Sequence, residues 1–211
     1  MKVAILCGGL GTRLGALTRD VPKPMIEIAG RPYLEHVVDS FRGFEIVLLT
    51  GHRSEVIERH FGDRVQYSVE REPLGTGGAL RQARALLGER FLVTYGDVLR
   101  RFDYDRFVRE HDEPALAVYE RIRVGNTELD GDRVVRFDKR APELPYIDAG
   151  FSLMDAGIVD LLPARGSYEE SVFPVLAAQR RLAAEIVDHE FFDIGTPEEL
   201  ARTRAALERR A

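Results

Sequence analysis

A chain of 211 residues has the length of one domain, or at most a domain and a half, and folding at this size removes about 70 % of the unfolded surface from water, so a core can form without disulfide or metal staples. Hydrophobic residues at 45 % and charged residues at 31 % exclude a disordered chain, and a net charge of -5 argues against a nucleic-acid backbone as the main partner. No apolar run approaches the roughly 18 residues that span a bilayer, so no membrane partner is expected.

The start, MKVAILCGGLG, is too short for a signal peptide and runs straight into glycines; it reads as a strand. Its one cysteine, Cys7, cannot form an internal disulfide and reads as a small buried hydrophobe, which suits a reducing, cytoplasmic setting. Three continuous apolar runs follow one another: residues 3–7 ending at Gly8-Gly9, 44–49 ending at Thr50-Gly51, and 91–95 ending at Gly96-Asp97. Continuous runs, unlike alternating ones, fit strands buried on both faces of a parallel sheet. Between them, Tyr33, Leu34, Val37, Val38 and Phe41, and then Ala79, Leu80, Ala83, Leu86 and Leu87, recur at helical spacing. This alternation predicts a three-layer α/β domain, whose ligands sit outside the carboxyl ends of the strands.

The second half changes character. Asn126 to Asp138 reads as a hairpin around Asp130-Gly131-Asp132, and Ala149 to Met154 as a strand. Helices are predicted near 156–162 and 168–180, and a strand near 182–187. The last helix has the clearest boundary: Thr196 as N-cap, Pro197 as first helical residue, and Glu199 completing a capping box. Residues 198–211 read as a charged, solvated helix end.

The segment Gly8-Gly9-Leu10-Gly11-Thr12-Arg13-Leu14, followed by Pro22-Lys23-Pro24, carries the strongest chemical signal. Glycines directly after a buried strand let backbone N–H groups turn toward a polyanion, while Arg13 offers a planar fork and Lys23 a mobile point charge. A tight turn with two solvated cations is the plainer alternative. The dinucleotide fingerprint fails, because Leu14 stands where it needs Gly or Ala. The Walker pattern fails for want of a Gly-Lys-Ser/Thr tripeptide. The histidines His36, His52, His60, His111 and His189 show no ligand spacing.

Residues 3–14 and 22–32, reading VAILCGGLGTRL and PKPMIEIAGRP, resemble the signature of the sugar-1-phosphate nucleotidyltransferases, or nucleotide-sugar pyrophosphorylases. The resemblance continues through Glu72-Pro73-Leu74-Gly75-Thr76-Gly77-Gly78-Ala79, Tyr95-Gly96-Asp97, Phe137-Asp138-Lys139, Tyr146-Ile147-Asp148-Ala149-Gly150 and Asp193-Ile194-Gly195-Thr196-Pro197. It implies a Rossmann-like α/β/α fold with a mixed, mostly parallel sheet and a small substrate-covering hairpin lobe, with residues 1–211 as a single domain. The implied reaction is attack of a sugar 1-phosphate on the α-phosphorus of a nucleoside triphosphate, giving a nucleotide sugar and pyrophosphate.

The same resemblance assigns Asp97 and Asp193 as ligands of Mg²⁺, and Arg13 and Lys23 to the triphosphate. Leu6, Gly8, Gly9, Gly11, Thr12, Gly75 and Thr76 fall to the nucleotide, and Lys139, Asp148 and Gly150 to the sugar phosphate. Asp138 stands where the family has Glu, and Asp148 where Asn is common. Glu70 or Glu72 could accept from two N–H groups of guanine, which uracil cannot match. The spellings EPLGTGGAL and FFDIGTPEEL are most similar to guanylyltransferases acting on mannose- or heptose-type sugar phosphates. A catalytically silent binding regulator on the same fold, or a transferase acting on a non-sugar phosphate, are the alternatives. No appended repeat domain is read, so any oligomer is expected to form through this domain.

Overall fold

The computed structural model describes residues 1–141 and 143–209, with the side chains of 121–124 left out. The last two positions of the predicted charged tail, 210 and 211, lie outside the described residues. The elements, in order, are β1 (Lys2–Leu6), β2 (Glu27–Ile28), β3 (Arg31–Pro32), α1 (Tyr33–Asp39), β4 (Glu45–Thr50), α2 (Ser54–Phe61), β5 (Gln66–Val69), α3 (Gly75–Leu87), β6 (Arg90–Tyr95), β7 (Val98–Arg100), α4 (Tyr104–Glu110), β8 (Ala115–Gly125), β9 (Thr127–Asp130), β10 (Arg133–Phe137), β11 (Leu144–Asp155), α5 (Tyr168–Ala178), β12 (Ala183–Ile186), β13 (Phe191–Asp193) and α6 (Pro197–Glu208). They fall into two compact units, each assembled from separate stretches of chain. The loop unit comprises Ile5–Pro73, Tyr95–Phe102 and His189–Ala211; the hairpin unit comprises Met1–Ala4, Leu74–Thr94 and Asp103–Asp188.

The loop unit carries β5 and β4, parallel with Leu48 opposite Tyr67, and beside β4 the carboxyl end of β1, Ile5-Leu6. Ile46 to Thr50 are all buried, as a continuous apolar run requires. Two three-residue strands, β7 and β13, form a separate antiparallel pair in which Asp193 faces Val98. Neither was read from the sequence. Tyr33, fully buried at the start of α1, locks them: its hydroxyl donates to the Phe192 carbonyl at 2.5 Å and accepts from the Leu99 N–H at 2.9 Å. Burial pushes this hydroxyl's pKa up, so it stays a donor. Tyr33→Phe strands one buried donor and one buried acceptor, a cost of about 1–3 kcal/mol. A melting temperature lowered by roughly 2–12 °C is the expected result in a thermal melt. An unchanged melt would mean that the β7–β13 pair does not depend on the hydroxyl.

The hairpin unit carries the order β6-β11-β8-β12-β10-β9. The sheet is mixed, as expected, yet here only β12–β8 is parallel; β11 pairs antiparallel with both β6 and β8, and β10 with both β12 and β9. Each antiparallel pair of this sheet involves a strand of the second half, whereas β4 and β5 of the first half are parallel. The predicted hairpin forms as β9 and β10, turning at Gly131, which takes a left-handed φ of 61°. Its core is aromatic: Phe151 meets Tyr104 and Phe107 edge-on, and Phe173 meets Phe137 and Tyr168 in the same way. The helix expected near 156–162 is a short 3-10 turn, Ala156–Leu161. At α6 Thr196 is the N-cap and Pro197 the first helical residue, as read, with the Thr196 hydroxyl accepting from the Glu199 N–H at 3.2 Å, whereas the Glu199 carboxylate, expected to complete the capping box, lies near Gly195.

Candidate active site

Within the loop unit, the carboxyl ends of β1, β4 and β5 converge. The Cys7 N–H donates to the Leu49 carbonyl at 2.9 Å, and the Glu70 N–H to that of Thr50 at 2.8 Å. A Cβ on Gly8 would lie 3.2 Å from Glu70 Oε1 and 3.3 Å from the Gly51 nitrogen, so a larger residue there would press on these strand ends and on the carboxylate beside them. Gly11 has a φ of 64°, and a Cβ there would meet Lys23 Cβ at 3.0 Å. It therefore turns the chain onto Lys23 and opens the 3-10 segment Thr12–Thr18, on which Thr12 and Arg13 are exposed. Gly9 faces open space.

Lys23 is 7 % exposed between two prolines, and its ammonium donates to Asp97 Oδ2 at 2.6 Å. Asp97 is held by its neighbours: the Gly96 N–H donates to the Leu6 carbonyl at 2.9 Å, and the Asp97 carbonyl accepts from the Ile194 N–H at 3.2 Å. The β7–β13 pair thereby brings Asp97 and Asp193 to one end of a two-stranded ladder. Asp193 accepts from the Gly195 N–H, and a Cβ on Gly195 would lie 3.0 Å from Glu199 Oε2 and 3.6 Å from Arg13 Nη2. Arg13, Lys23, Asp97, Asp193 and Glu199 are one cluster.

Burial, then repulsion from Asp97 and Glu199, holds the Asp193 carboxyl above its ordinary pKa. Folding thus binds this proton more tightly than the unfolded chain does. The group's contribution is most favourable below the ordinary carboxylate range and is lost as pH rises through the raised value. Asp193→Asn removes that charge, so in chelator its melting temperature is expected to exceed the parent's by a few degrees at pH 8, and the gap to close toward pH 4. A melt equal to or below the parent's at pH 8 would show that the carboxylate is not under this repulsion.

In the hairpin unit, the glycine-rich head of α3 packs on the loop before α5. Gly75 adopts a φ of 73°, and the Gly77 N–H donates to the Gly166 carbonyl at 2.8 Å. A Cβ on Gly77 or Gly78 would come within 2.6 Å of Pro163 or Ala164. The Thr76 hydroxyl donates to Glu169 Oε2 at 2.9 Å, and Lys139 Nζ lies 3.1 Å from Glu169 Oε1. Asp148 accepts from the Asn126 amide at 2.6 Å and from the Gly150 N–H at 3.1 Å, while its own N–H donates to Asn126 Oδ1. Gly150 takes a φ of 70° where the β11–β8 register slips, between Asp148 and Ser152. Asp138 accepts the Arg140 N–H and pairs with Arg136, and these hold its carboxyl below the ordinary range.

Residues 2–140 match a family model described as Nucleotidyl transferase. The chain belongs to this family. It is 32 % identical over 94 % of its length to a D-glycero-alpha-D-manno-heptose 1-phosphate guanylyltransferase from Campylobacter jejuni, covering 96 % of that protein. To a mannose-1-phosphate guanylyltransferase from Mycobacterium tuberculosis it is 34 % identical, spanning 99 % of itself and 65 % of the relative. The crystal structure of HddC from Yersinia pseudotuberculosis superposes with a TM-score of 0.82 at 28 % identity, covering 98 % of this chain and 99 % of that one.

In this nucleotidyl transferase, the sequence-predicted residues Leu6, Gly8, Gly9, Gly11, Thr12, Arg13, Lys23, Glu70, Asp97 and Asp193 fall in the loop unit, and Gly75, Thr76, Lys139, Asp148 and Gly150 in the hairpin unit. Three residues were missed. Glu199 reads as a capping residue, yet its carboxylate lies at Gly195. Asn126 reads as a hairpin residue, yet it holds Asp148. Glu169 lies in Ser167-Tyr168-Glu169-Glu170, whose spacing signals only a helix start. Among the described residues, no group of three or more His, Cys, Asp or Glu is arranged to hold a metal ion. Two carboxylates, completed by water and phosphate oxygens, are nonetheless what Mg²⁺ usually takes, and the repulsion between Asp97 and Asp193 suits a dication. No helix among the described residues is long and apolar enough to cross a membrane.

Proposed function

We propose that this transferase moves a guanylyl group from GTP to a mannose- or heptose-type sugar 1-phosphate, giving a GDP-sugar and pyrophosphate. The observation that carries the reading is the cluster of Arg13, Lys23, Asp97 and Asp193, in which two cations and two carboxylates meet beside a glycine-rich loop. The guanylyltransferase names of the relatives, and a solved complex of HddC with GMP-PN, support the choice of base and sugar class.

A phosphate oxygen of the sugar 1-phosphate attacks the α-phosphorus, and the bond from that phosphorus to the β-phosphate bridging oxygen breaks. The nucleophile is already an anion, so no base is needed; the task is to hold two polyanions and to stabilise charge on the in-line transition state. Arg13 and Lys23 take phosphate oxygens, with backbone N–H groups from Gly8 to Thr12 turned toward the same anion. Asp97 and Asp193 would hold Mg²⁺, which would offset charge on those oxygens. Lys23, already paired with Asp97, is kept in place for the α-phosphate. Glu70, beside Gly8, accepts from the two N–H groups of guanine, with Leu6 at the same strand end, while Gly75 and Thr76 contribute to the nucleotide loop. Lys139 takes the sugar phosphate, and Asp148 and Gly150 the sugar ring. The lone, buried Cys7 fits a cytoplasmic setting.

The test is pyrophosphate release from each of four NTPs crossed with a panel of sugar 1-phosphates, with and without Mg²⁺. Mg²⁺-dependent release from GTP with a mannose- or heptose-type phosphate is expected. No release from any pair would favour a silent binding protein. Release with non-sugar phosphates only would move the acceptor to another class.

A further inference from the structure

Among thirty Lys+Arg, only three residues are lysine: Lys2, Lys23 and Lys139. A lysine offers a compact, mobile ammonium where arginine offers a planar fork. Two of the three are clasped by carboxylates, Lys23 by Asp97 at 2.6 Å and Lys139 by Glu169 at 3.1 Å. The first pair lies in the cluster described above. The second has a partner with no assigned role.

Glu169 is 2 % exposed, in the first turn of α5. Its Oε1 faces Lys139, and its Oε2 accepts from the hydroxyls of Thr76 at 2.9 Å and Ser167 at 2.5 Å. Thr76 Oγ1 accepts in turn from the Tyr168 N–H at 3.0 Å. One buried carboxylate therefore joins the heads of α3 and α5 to the end of the β9–β10 hairpin. Burial raises its pKa, with the Glu170 charge adding to the shift and the Thr76 hydroxyl opposing it. Such a group is a poor choice for stability alone, because replacing a buried ionic network by apolar side chains is often neutral or stabilising.

We infer that Glu169 is a positioning residue, whose carboxylate orders the Lys139 ammonium and the Thr76 hydroxyl together. An ammonium has three N–H donors, and the Glu169 bond uses one, leaving two for a phosphate. Ordering the lysine stem beforehand removes part of the entropy lost when the phosphate binds. The same carboxylate sets the hydroxyl at the head of the glycine-rich α3, so the groups for the two substrates share one anchor. This inference rests on the proposed roles of Lys139 and Thr76.

Two readouts test it on the full chain. In steady-state kinetics, Glu169→Gln is expected to raise KM for the sugar 1-phosphate by at least about 10-fold, the size of a lost charged hydrogen bond, with a smaller fall in kcat. Lys139→Met does the same, and the double variant should be no worse than the worse single one. Fully additive losses, or an unchanged KM in Glu169→Gln, would overturn the inference.

The second readout needs no turnover. Reductive ¹³C-methylation labels the three lysines and the amino terminus, and Lys139→Arg identifies the Lys139 signal. Relaxation of that signal should report an ordered stem in the parent and a freely moving one in Glu169→Gln. Equal mobility in both would overturn the inference even if the protein released no pyrophosphate. Absence of turnover in the parent would count against the proposed function alone. Should Glu169→Gln fail to fold, Thr76→Val removes one arm of the same anchor, and unchanged KM values for both substrates in it would overturn the shared role.

Discussion

Asp97→Asn is expected to lower turnover at least about 100-fold, the loss typical of removing a metal or transition-state contact. Two effects act together. The neutral amide is a poor ligand for a dication, and it leaves the buried Lys23 ammonium without the carboxylate it meets at 2.6 Å. An unpaired ammonium in that place is expected to move toward the next acidic group, which would also displace the cation proposed for phosphate. Asp193, relieved of its charged neighbour, should titrate closer to an ordinary carboxyl. Relief of the Asp97–Asp193 repulsion offsets part of the cost of the unpaired ammonium, so a native circular dichroism spectrum with a melt lowered by several degrees should accompany the lost activity. Pyrophosphate release within a few-fold of the parent would remove Asp97 from the site.

The parts legible in the sequence are those where chemistry is local. The runs 3–7, 44–49 and 91–95 are strands because continuous apolar residues have few other ways to be buried. The cap at Thr196 is visible because donor and acceptor are three residues apart. The short strands β7 and β13 carry too few residues for any period, and yet they bring Asp97 to Asp193; only the family resemblance grouped those two beforehand. The sequence marks Lys23 as a mobile point charge for phosphate, and its carboxylate partner stands 74 residues away. Thr76 and Glu169 are separated by 93 residues, and Asn126 and Asp148 by 22. Such pairs are made by topology, which composition and spacing do not encode. The antiparallel character of β11 was hidden for the same reason, since a strand's own residues do not say from which direction its neighbours arrive.

Gly75→Ala and Gly9→Ala separate what glycine does for folding from what it does for a ligand. At Gly75 the backbone is left-handed, with a φ of 73°, and a Cβ would lie 2.6 Å from the Gly166 carbonyl oxygen and 2.9 Å from its carbon. That carbonyl cannot step aside freely: it accepts from the Gly77 N–H at 2.8 Å, and the Gly166 N–H donates to the Leu74 carbonyl at 2.8 Å. The left-handed residue costs about 1–2 kcal/mol and the overpacking about 1–3 kcal/mol. A loss near 3 kcal/mol corresponds to a melting temperature lower by roughly 6–12 °C in a chain of this size. The displaced head of α3 should also raise KM for the nucleotide, because Thr76 follows directly. At Gly9 a Cβ meets nothing within 4 Å, so an alanine there should change the melt by no more than about 1–2 °C. If backbone N–H groups of that loop face phosphate, Gly9→Ala should still raise KM for GTP several-fold, through crowding of the anion rather than of the protein. Equal melting shifts for the two variants would mean that the space around Gly9 is closed in the folded protein. A Gly9→Ala variant with the parent's KM would remove that residue from the nucleotide loop.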